Sequence, residues 1–182
     1  SPDAAAAALK RAETLAGGSQ LDAAQLARAY EKIGRPGRAL ELLQLPAYRE
    51  STSRQIVKMQ AKLLQATGAE KSAVVAPLER LIAAEPGVAG HWAMRGPSLS
   101  AYGDWTNAAA AYEQAIALDP DIAAHWTGAI VAMSNLERDE AIDDLLIRAN
   151  AWFRKKGTAG QLDLATIELA AERFEEAAIA AE

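Results

Sequence analysis

Residues 86–126 read PGVAGHWAMRGPSLSAYGDWTNAAAAYEQAIALDPDIAAHW, and this stretch decides the fold. The pair His91-Trp92 near its start returns 34 residues later as His125-Trp126. The same offset joins three further identical pairs, namely Pro86 and Pro120, Ala89 and Ala123, and Ser100 and Ser134. Both histidines of the chain and two of its tryptophans share this step, which indicates an internal repeat.

One period of the repeat predicts a helix, a turn and a second helix. Apolar residues in 92–102 recur at helical spacing, and Gly103-Asp104 interrupts them. A second apolar stripe follows in 108–118 and ends at Asp119-Pro120, because proline cannot easily continue a helix. Ala108 and Ala115 are seven residues apart and therefore lie on one face, where small side chains let two helices approach closely.

The composition agrees with an all-helical chain. Of the 182 residues, 44 are alanine, the residue with the highest helix propensity, and only six are Phe or Tyr. The absence of cysteine excludes a disulfide framework, a cysteine-ligated metal and a thiol nucleophile. The net charge of −5 argues against binding to a phosphate backbone, and no apolar run approaches the length that spans a bilayer.

The repeat resembles the tetratricopeptide repeat (TPR) family. The resemblance rests on Trp92, Gly96, Leu99, Gly103, Ala108, Tyr112, Ala115 and Pro120, on the equivalent glycines Gly34 and Gly68, and on Trp126 with one residue deleted at the following turn. A fifth and weaker copy has Leu164, Ala171, Phe174 and Ala177, with Glu172 where the turn glycine is expected. The predicted units are 21–53, 54–88, 89–122, 123–157 and 158–182.

The resemblance implies an α-solenoid of antiparallel helix pairs, a right-handed superhelix of about eleven helices. Residues 1–20 are interpreted as the second helix of a truncated preceding repeat, ended by Gly17-Gly18. Both ends of the chain are interpreted as cuts through a larger protein. In the family, the first helix of each pair lines a concave groove that binds extended or helical segments of partner proteins.

The register of the repeat places ten candidate partner-binding residues in this groove. They are Arg28, Lys32, Lys58, Lys62, Gln65, Met94, Pro97, Ser100, Thr127 and Asn135. Lys58 and Lys62 lie one turn apart on one helix face. With Arg28 they predict a basic wall that binds an acidic segment, although pairing with Glu31 or Glu70 is the alternative. Some family members hold a partner's C-terminal carboxylate, but Ala24 and Arg28 stand where that site has lysine and asparagine.

Gly96-Pro97 is unusual because it falls inside a predicted first helix. Proline removes the hydrogen bond to the carbonyl of Ala93 and is a common cause of helix kinks. The freed carbonyl is expected to face the groove, where a ligand could satisfy it. The alternative is a tolerated bend that adjusts the curvature of the array.

The remaining charged and aromatic clusters have structural explanations. His91 and His125 are expected to shield the seam between repeats rather than to bind a metal. The acidic residues in 137–144 and the basic run 154–156 fit the start and end of one helix, as the helix dipole favours. Trp152 and Phe153 are expected to pack in the core, with an exposed patch as the alternative.

We therefore predict a non-enzymatic protein-interaction scaffold with no cofactor, no bound metal, no nucleic-acid partner and no membrane insertion. One alternative is a periplasmic assembly module of a bacterial polysaccharide-export or secretion system. The other is the docking or regulatory arm of an enzyme, such as a glycosyl- or sulfotransferase, whose catalytic domain lies elsewhere. The alanine-rich composition and the lack of cysteine favour the bacterial periplasm over the cytoplasm. The sequence leaves self-association through an exposed solenoid end open.

Overall fold

The computed structural model describes residues 2–15 and 19–179, and the regular elements within them are all helical. The chain divides into two compact units, Ser1–Pro86 and Gly87–Glu182. This division falls beside the boundary predicted between 54–88 and 89–122. The all-α fold class, built from antiparallel helix pairs, is confirmed.

The N-terminal unit buries one face of each main helix in a shared core. Tyr30, Leu43, Ile56 and Leu63 are almost completely inaccessible there. The helices described for this unit are α1 (Pro2–Leu15), α2 (Gln20–Lys32), α3 (Pro36–Leu43), α4 (Pro46–Arg49), α5 (Arg54–Ala66) and α6 (Lys71–Ala84). The repeat pattern does not predict α4, a single turn between the first two pairs.

The buried side-chain amide of Gln60 holds the connection that contains α4 in place through hydrogen bonds. Gln60 is 1% exposed, and its Nε2 donates hydrogen bonds to the carbonyl oxygens of Leu43 at 2.9 Å and Tyr48 at 3.1 Å. Arg80 of α6 adds a hydrogen bond to the carbonyl of Arg49 at 2.7 Å. These side-chain bonds to backbone carbonyl groups of the connection fix its path from α3 to α5.

The C-terminal unit is built mainly on small residues where helices meet. Ala108, Ala111 and Ala115 of α8 are completely buried, which allows α7 and α9 to lie close to α8. The helices described for this unit are α7 (Ala89–Ser100), α8 (Trp105–Leu118), α9 (Ala123–Ser134), α10 (Asp139–Phe153) and α11 (Gly157–Ile179), with a 3-10 turn at Arg154–Lys156.

Four equivalent turns share one backbone geometry. Gly34, Gly68 and Gly103 have φ angles of 75°, 74° and 68°, and Glu137 occupies the fourth such position with φ of 54°. The N–H of Glu137 bonds to the carbonyl of Ser134 and the N–H of Arg138 to that of Met133, as in a Schellman motif. The expected deletion at this turn is therefore wrong, because Glu137 fills the glycine position 34 residues after Gly103.

Glu137→Gly is expected to stabilise the C-terminal unit by about 0.5–1 kcal/mol. The left-handed conformation strains an L side chain, and this strain outweighs the entropy that glycine gains in the unfolded chain. Urea unfolding followed by tryptophan fluorescence measures the change. Gly103→Ala should shift the midpoint in the opposite direction, and a destabilised Glu137→Gly variant would contradict the strain.

The last predicted unit, 158–182, does not form a helix pair within the described residues. Residues 157–179 form the single helix α11, and the turn expected at Glu172 does not occur. Glutamate is a good helix former, and no Gly or Pro lies in 161–179 to end the helix. The side chains of Phe174 and Ala177, as well as the expected stop at Gly17-Gly18, lie outside the described residues.

Candidate functional site

Four of the predicted groove cations lie around one pocket of the N-terminal unit. The pocket has a volume of about 320 Å³ and is formed by α2 and α5. We call it the basic pocket, and it is lined by Arg28, Glu31, Lys32, Gln55, Lys58, Met59 and Lys62. Four cations thus face one carboxylate, in a chain whose net charge is −5.

The helix faces explain why these cations are accessible. On α5, Ile56 and Leu63 point into the core, while Lys58 and Lys62 lie on the exposed side. Lys62 Nζ lies 2.5 Å from Glu31 Oε1, so the predicted alternative of pairing with Glu31 occurs for this lysine. The lysine remains 60% exposed, and an exposed pair of this kind contributes at most about 1 kcal/mol to stability.

A second pocket lies between α7 and α9 in the C-terminal unit. Its volume is about 680 Å³, and its lining contains no Asp, Glu, Lys or Arg. We call it the apolar pocket, and its lining is Ala93, Pro97, Ser100, Ala101, Trp105, Tyr112, Ile122, Ala124, His125, Thr127, Gly128 and Val131. Three predicted groove residues, Pro97, Ser100 and Thr127, therefore lie here.

The ring of Tyr112 reaches this pocket from α8 by passing between two glycines. A Cβ atom on Gly96 would lie 2.6 Å from Tyr112 Cζ, and one on Gly128 would lie 2.4 Å from Cε1. Both distances are far below van der Waals contact, so a side chain at either position would displace the ring. Helix α7 continues through Pro97 to Ser100, which places Gly96 beside the ring within an unbroken helix.

The hydroxyl groups of Tyr112 and Ser100 add polar groups to this surface, besides His125 and Thr127. Ser100 Oγ donates a hydrogen bond to the carbonyl of Gly96 at 3.1 Å, and the same hydroxyl also lies within hydrogen-bonding reach of the Tyr112 hydroxyl. Burial raises the pKa of Tyr112 above its ordinary value, and the bond to Ser100 opposes this only in part. Tyr112 is therefore a neutral hydrogen-bonding group at neutral pH.

Three predicted groove residues line neither pocket. Gln65 is exposed near the end of α5, and Met94 is half-buried on α7. Asn135 follows α9, and its Nδ2 donates to the carbonyl of Val131 at 2.8 Å. Sequence reasoning missed Tyr112 and Gly128 as pocket residues, because it assigned Tyr112 to the core stripe of α8.

The two histidines are buried side chains. His125 is 6% exposed, and its Nδ1 lies 3.1 Å from the carbonyl of Asp119, while Trp126 Nε1 donates to the carbonyl of Pro120 at 2.9 Å. These contacts hold the end of α8 against α9. Within the described part of the chain, no three His, Cys, Asp or Glu side chains come close enough to form a metal site.

Two neighbouring aromatic residues at the end of α10 lie in different environments. Phe153 is fully buried and packs edge-on against Trp126, with ring centroids 6.2 Å apart. Trp152 is 38% exposed and donates a hydrogen bond to Asp121, which also pairs with Lys156. The core prediction therefore holds for Phe153, whereas Trp152 lies at the surface. Among the described helices, none combines the length and apolar character needed to cross a bilayer.

Comparison with solved structures shows the fold. A MamA crystal structure matches with 24% identity, covers 75% of this chain and 74% of its own chain, and has a TM-score of 0.61. MamA from Desulfovibrio magneticus RS-1 matches with 16% identity over 87% of this chain and 89% of its own, with a TM-score of 0.64. No family model and no curated protein matches the sequence. Because MamA is TPR-like and all-helical, the comparison supports a TPR-type fold.

Proposed function

We propose that the chain is a non-enzymatic protein-interaction scaffold whose basic pocket binds an acidic segment of a partner protein. The observation that carries this proposal is the convergence of Arg28, Lys32, Lys58 and Lys62 on one pocket of an acidic chain. Like charges held close together repel one another, and an acidic ligand relieves that repulsion. Partly exposed cations of this kind favour association with a segment of opposite charge.

The pocket fits a peptide segment better than a small charged metabolite. Its cations belong to the first helices of two adjacent pairs, α2 and α5, so a ligand that engages all of them must extend across both. Lysine and arginine side chains at a partly exposed surface contribute to encounter and orientation more than to tight binding. An acidic peptide segment spans the pocket and meets several cations at once.

Reversing the charge of Lys58 and Lys62 to glutamate is expected to weaken binding of a fluorescent oligoglutamate peptide about tenfold or more. This corresponds to a loss of about 1.4 kcal/mol or more. Glu31→Gln should strengthen binding, because it removes the carboxylate that competes with the ligand for Lys62. Fluorescence anisotropy at low ionic strength measures both changes, and added salt should reduce the affinity of the unmodified protein.

A matched control separates the pocket from overall charge. Arg11→Glu with Arg138→Glu changes the net charge equally at exposed positions that do not line the pocket. This control should leave binding within about twofold of the unmodified protein, since charges far from the ligand are screened. Equal losses in the two double variants would refute a specific basic pocket.

A further inference from the structure

A third accessible surface lies at the last two helices described for the C-terminal unit. It encloses about 730 Å³ between α10 and α11. We call it the α10–α11 face, and it is lined by Leu146, Ile147, Asn150, Ala151, Arg154, Lys155 and Glu168. Ile147 is 69% exposed, which is unusual for a large aliphatic side chain in the middle of a helix.

The repeat shows what covers the equivalent surface one step earlier. Subtracting 34 residues takes Ile147 to Glu113 and Lys155 to Asp121. Arg148 of α10 covers Glu113 with two hydrogen bonds, at 2.9 and 3.2 Å. Asp121 likewise receives Trp152 and Lys156 from the end of α10 and the turn after it. In the preceding pair, the acidic positions are thus covered by Arg148 of the second helix and by Trp152 and Lys156 at and after its end.

The α10–α11 face has the opposite chemistry and no covering helix among the described residues. Residues 157–179 form one helix where the repeat calls for two, so the position of the next second helix is vacant within that range. The acidic positions of the preceding surface are replaced by the apolar Ile147 and the basic Lys155, with Arg154 beside it. A helix that fits here needs an apolar stripe against Ile147 and carboxylates near the two cations.

We propose that the α10–α11 face binds an acidic amphipathic helix of a partner protein, which takes the place of the second helix of the last pair. The partner helix lays its apolar stripe on Leu146 and Ile147. Its acidic flank pairs with Arg154 and Lys155, as Glu113 pairs with Arg148 in the preceding pair. Recognition of an amphipathic helix in a groove between helices is a general mode of peptide binding.

Binding of a synthetic amphipathic helix tests the proposal. The probe carries leucine along one face and glutamate along its flanks, and the comparison probe has lysine in place of glutamate. The experiments use the full chain with Lys58→Glu and Lys62→Glu, so that the basic pocket does not bind the probe. The basic pocket is tested separately with the oligoglutamate peptide, and the two proposals can therefore fail independently. We expect saturable binding of the glutamate probe in fluorescence anisotropy and at least about tenfold weaker binding of the lysine probe.

Two variants and their controls locate the site. Ile147→Gln, and separately Arg154→Glu with Lys155→Glu, should each weaken the probe about tenfold. Leu169→Gln and Arg138→Glu, which alter exposed residues off this face, should leave binding unchanged. Absent binding, or binding insensitive to Ile147→Gln, would overturn the proposal. Concentration-dependent dimers in sedimentation that disappear in Ile147→Gln would overturn it in favour of a second copy of the chain.

Discussion

Gly128→Ala is expected to destabilise the C-terminal unit by about 2 kcal/mol, although alanine normally stabilises a helix interior by about 1 kcal/mol over glycine. The new methyl group would lie 2.4 Å from Cε1 of Tyr112. The ring cannot move aside, because the backbone at Gly96 closes the opposite side. Relief therefore requires α8 and α9 to separate, which loosens the contacts of the buried alanines on α8.

Removal of the ring should reverse the sign of this effect. Tyr112→Ala alone is expected to cost about 3–5 kcal/mol, as large aromatic truncations do. In that background, Gly128→Ala should be neutral or stabilise by up to about 1 kcal/mol, because only its helix propensity remains. A double-mutant cycle yields the coupling between the two positions directly.

Unfolding monitored by tryptophan fluorescence suits this cycle, since all four tryptophans lie in the C-terminal unit. Gly37→Ala is the control for a helical glycine without a clash, because a Cβ there meets no atom within 4 Å, and it is followed by circular dichroism because it lies in the N-terminal unit. The steric account fails if Gly128→Ala behaves like Gly37→Ala, or if its effect is the same with and without the tyrosine ring.

Local signals predicted most of the helix pairs. The turns at Gly34, Gly68 and Gly103 need positive φ, which glycine adopts without strain, so the sequence marks them. Glu137 adopts the same geometry although it is not a glycine, so the sequence pattern places the register of the following helix wrongly by one residue. The continuous α11 was missed for a related reason, because the family pattern suggested a turn at Glu172 that no residue there encodes.

The candidate site likewise has one part that the sequence predicts and another part that it does not. Helical spacing alone brings Lys58 and Lys62 to one exposed face, so their shared location was predictable. The passage of Tyr112 between Gly96 and Gly128 was not, since it depends on the distance and rotation of three helices. The sequence offered one hint, namely two glycines inside helices where alanine is otherwise abundant.

Gln60→Glu is expected to destabilise the N-terminal unit by about 4 kcal/mol or more at neutral pH, which is more than Gly128→Ala destabilises the C-terminal unit. The amide Nε2 faces the carbonyl oxygens of Leu43 and Tyr48, so a carboxylate there would oppose two acceptors in a buried site. The carbonyl of Leu43 would also lose its donor, whereas the carbonyl of Tyr48 keeps the N–H of Ser51. Gln60→Leu removes the donor without adding charge and should cost about 2–4 kcal/mol.

The pH dependence separates the charge from the lost hydrogen bonds. Burial without a positive partner raises the pKa of the introduced carboxyl group in the folded state above its unfolded value. The folded state then holds the proton more tightly, so the deficit of Gln60→Glu should grow as the pH rises through and above the unfolded value of about 4.3. At pH 4.5 the protonated acid donates one hydrogen bond, and the variant should recover toward Gln60→Leu.

Urea unfolding followed by circular dichroism at pH 4.5 and pH 7 measures the deficit of each variant against the unmodified protein at the same pH. Gln55→Glu, an exposed change on the same helix, should stay within about 0.5 kcal/mol at both values. A deficit of Gln60→Glu that does not change with pH would show that the carboxyl group reaches solvent. In that case the connection from α3 to α5 must move away from α5 in the variant, and Gln60 fixes its path less firmly than its hydrogen bonds indicate.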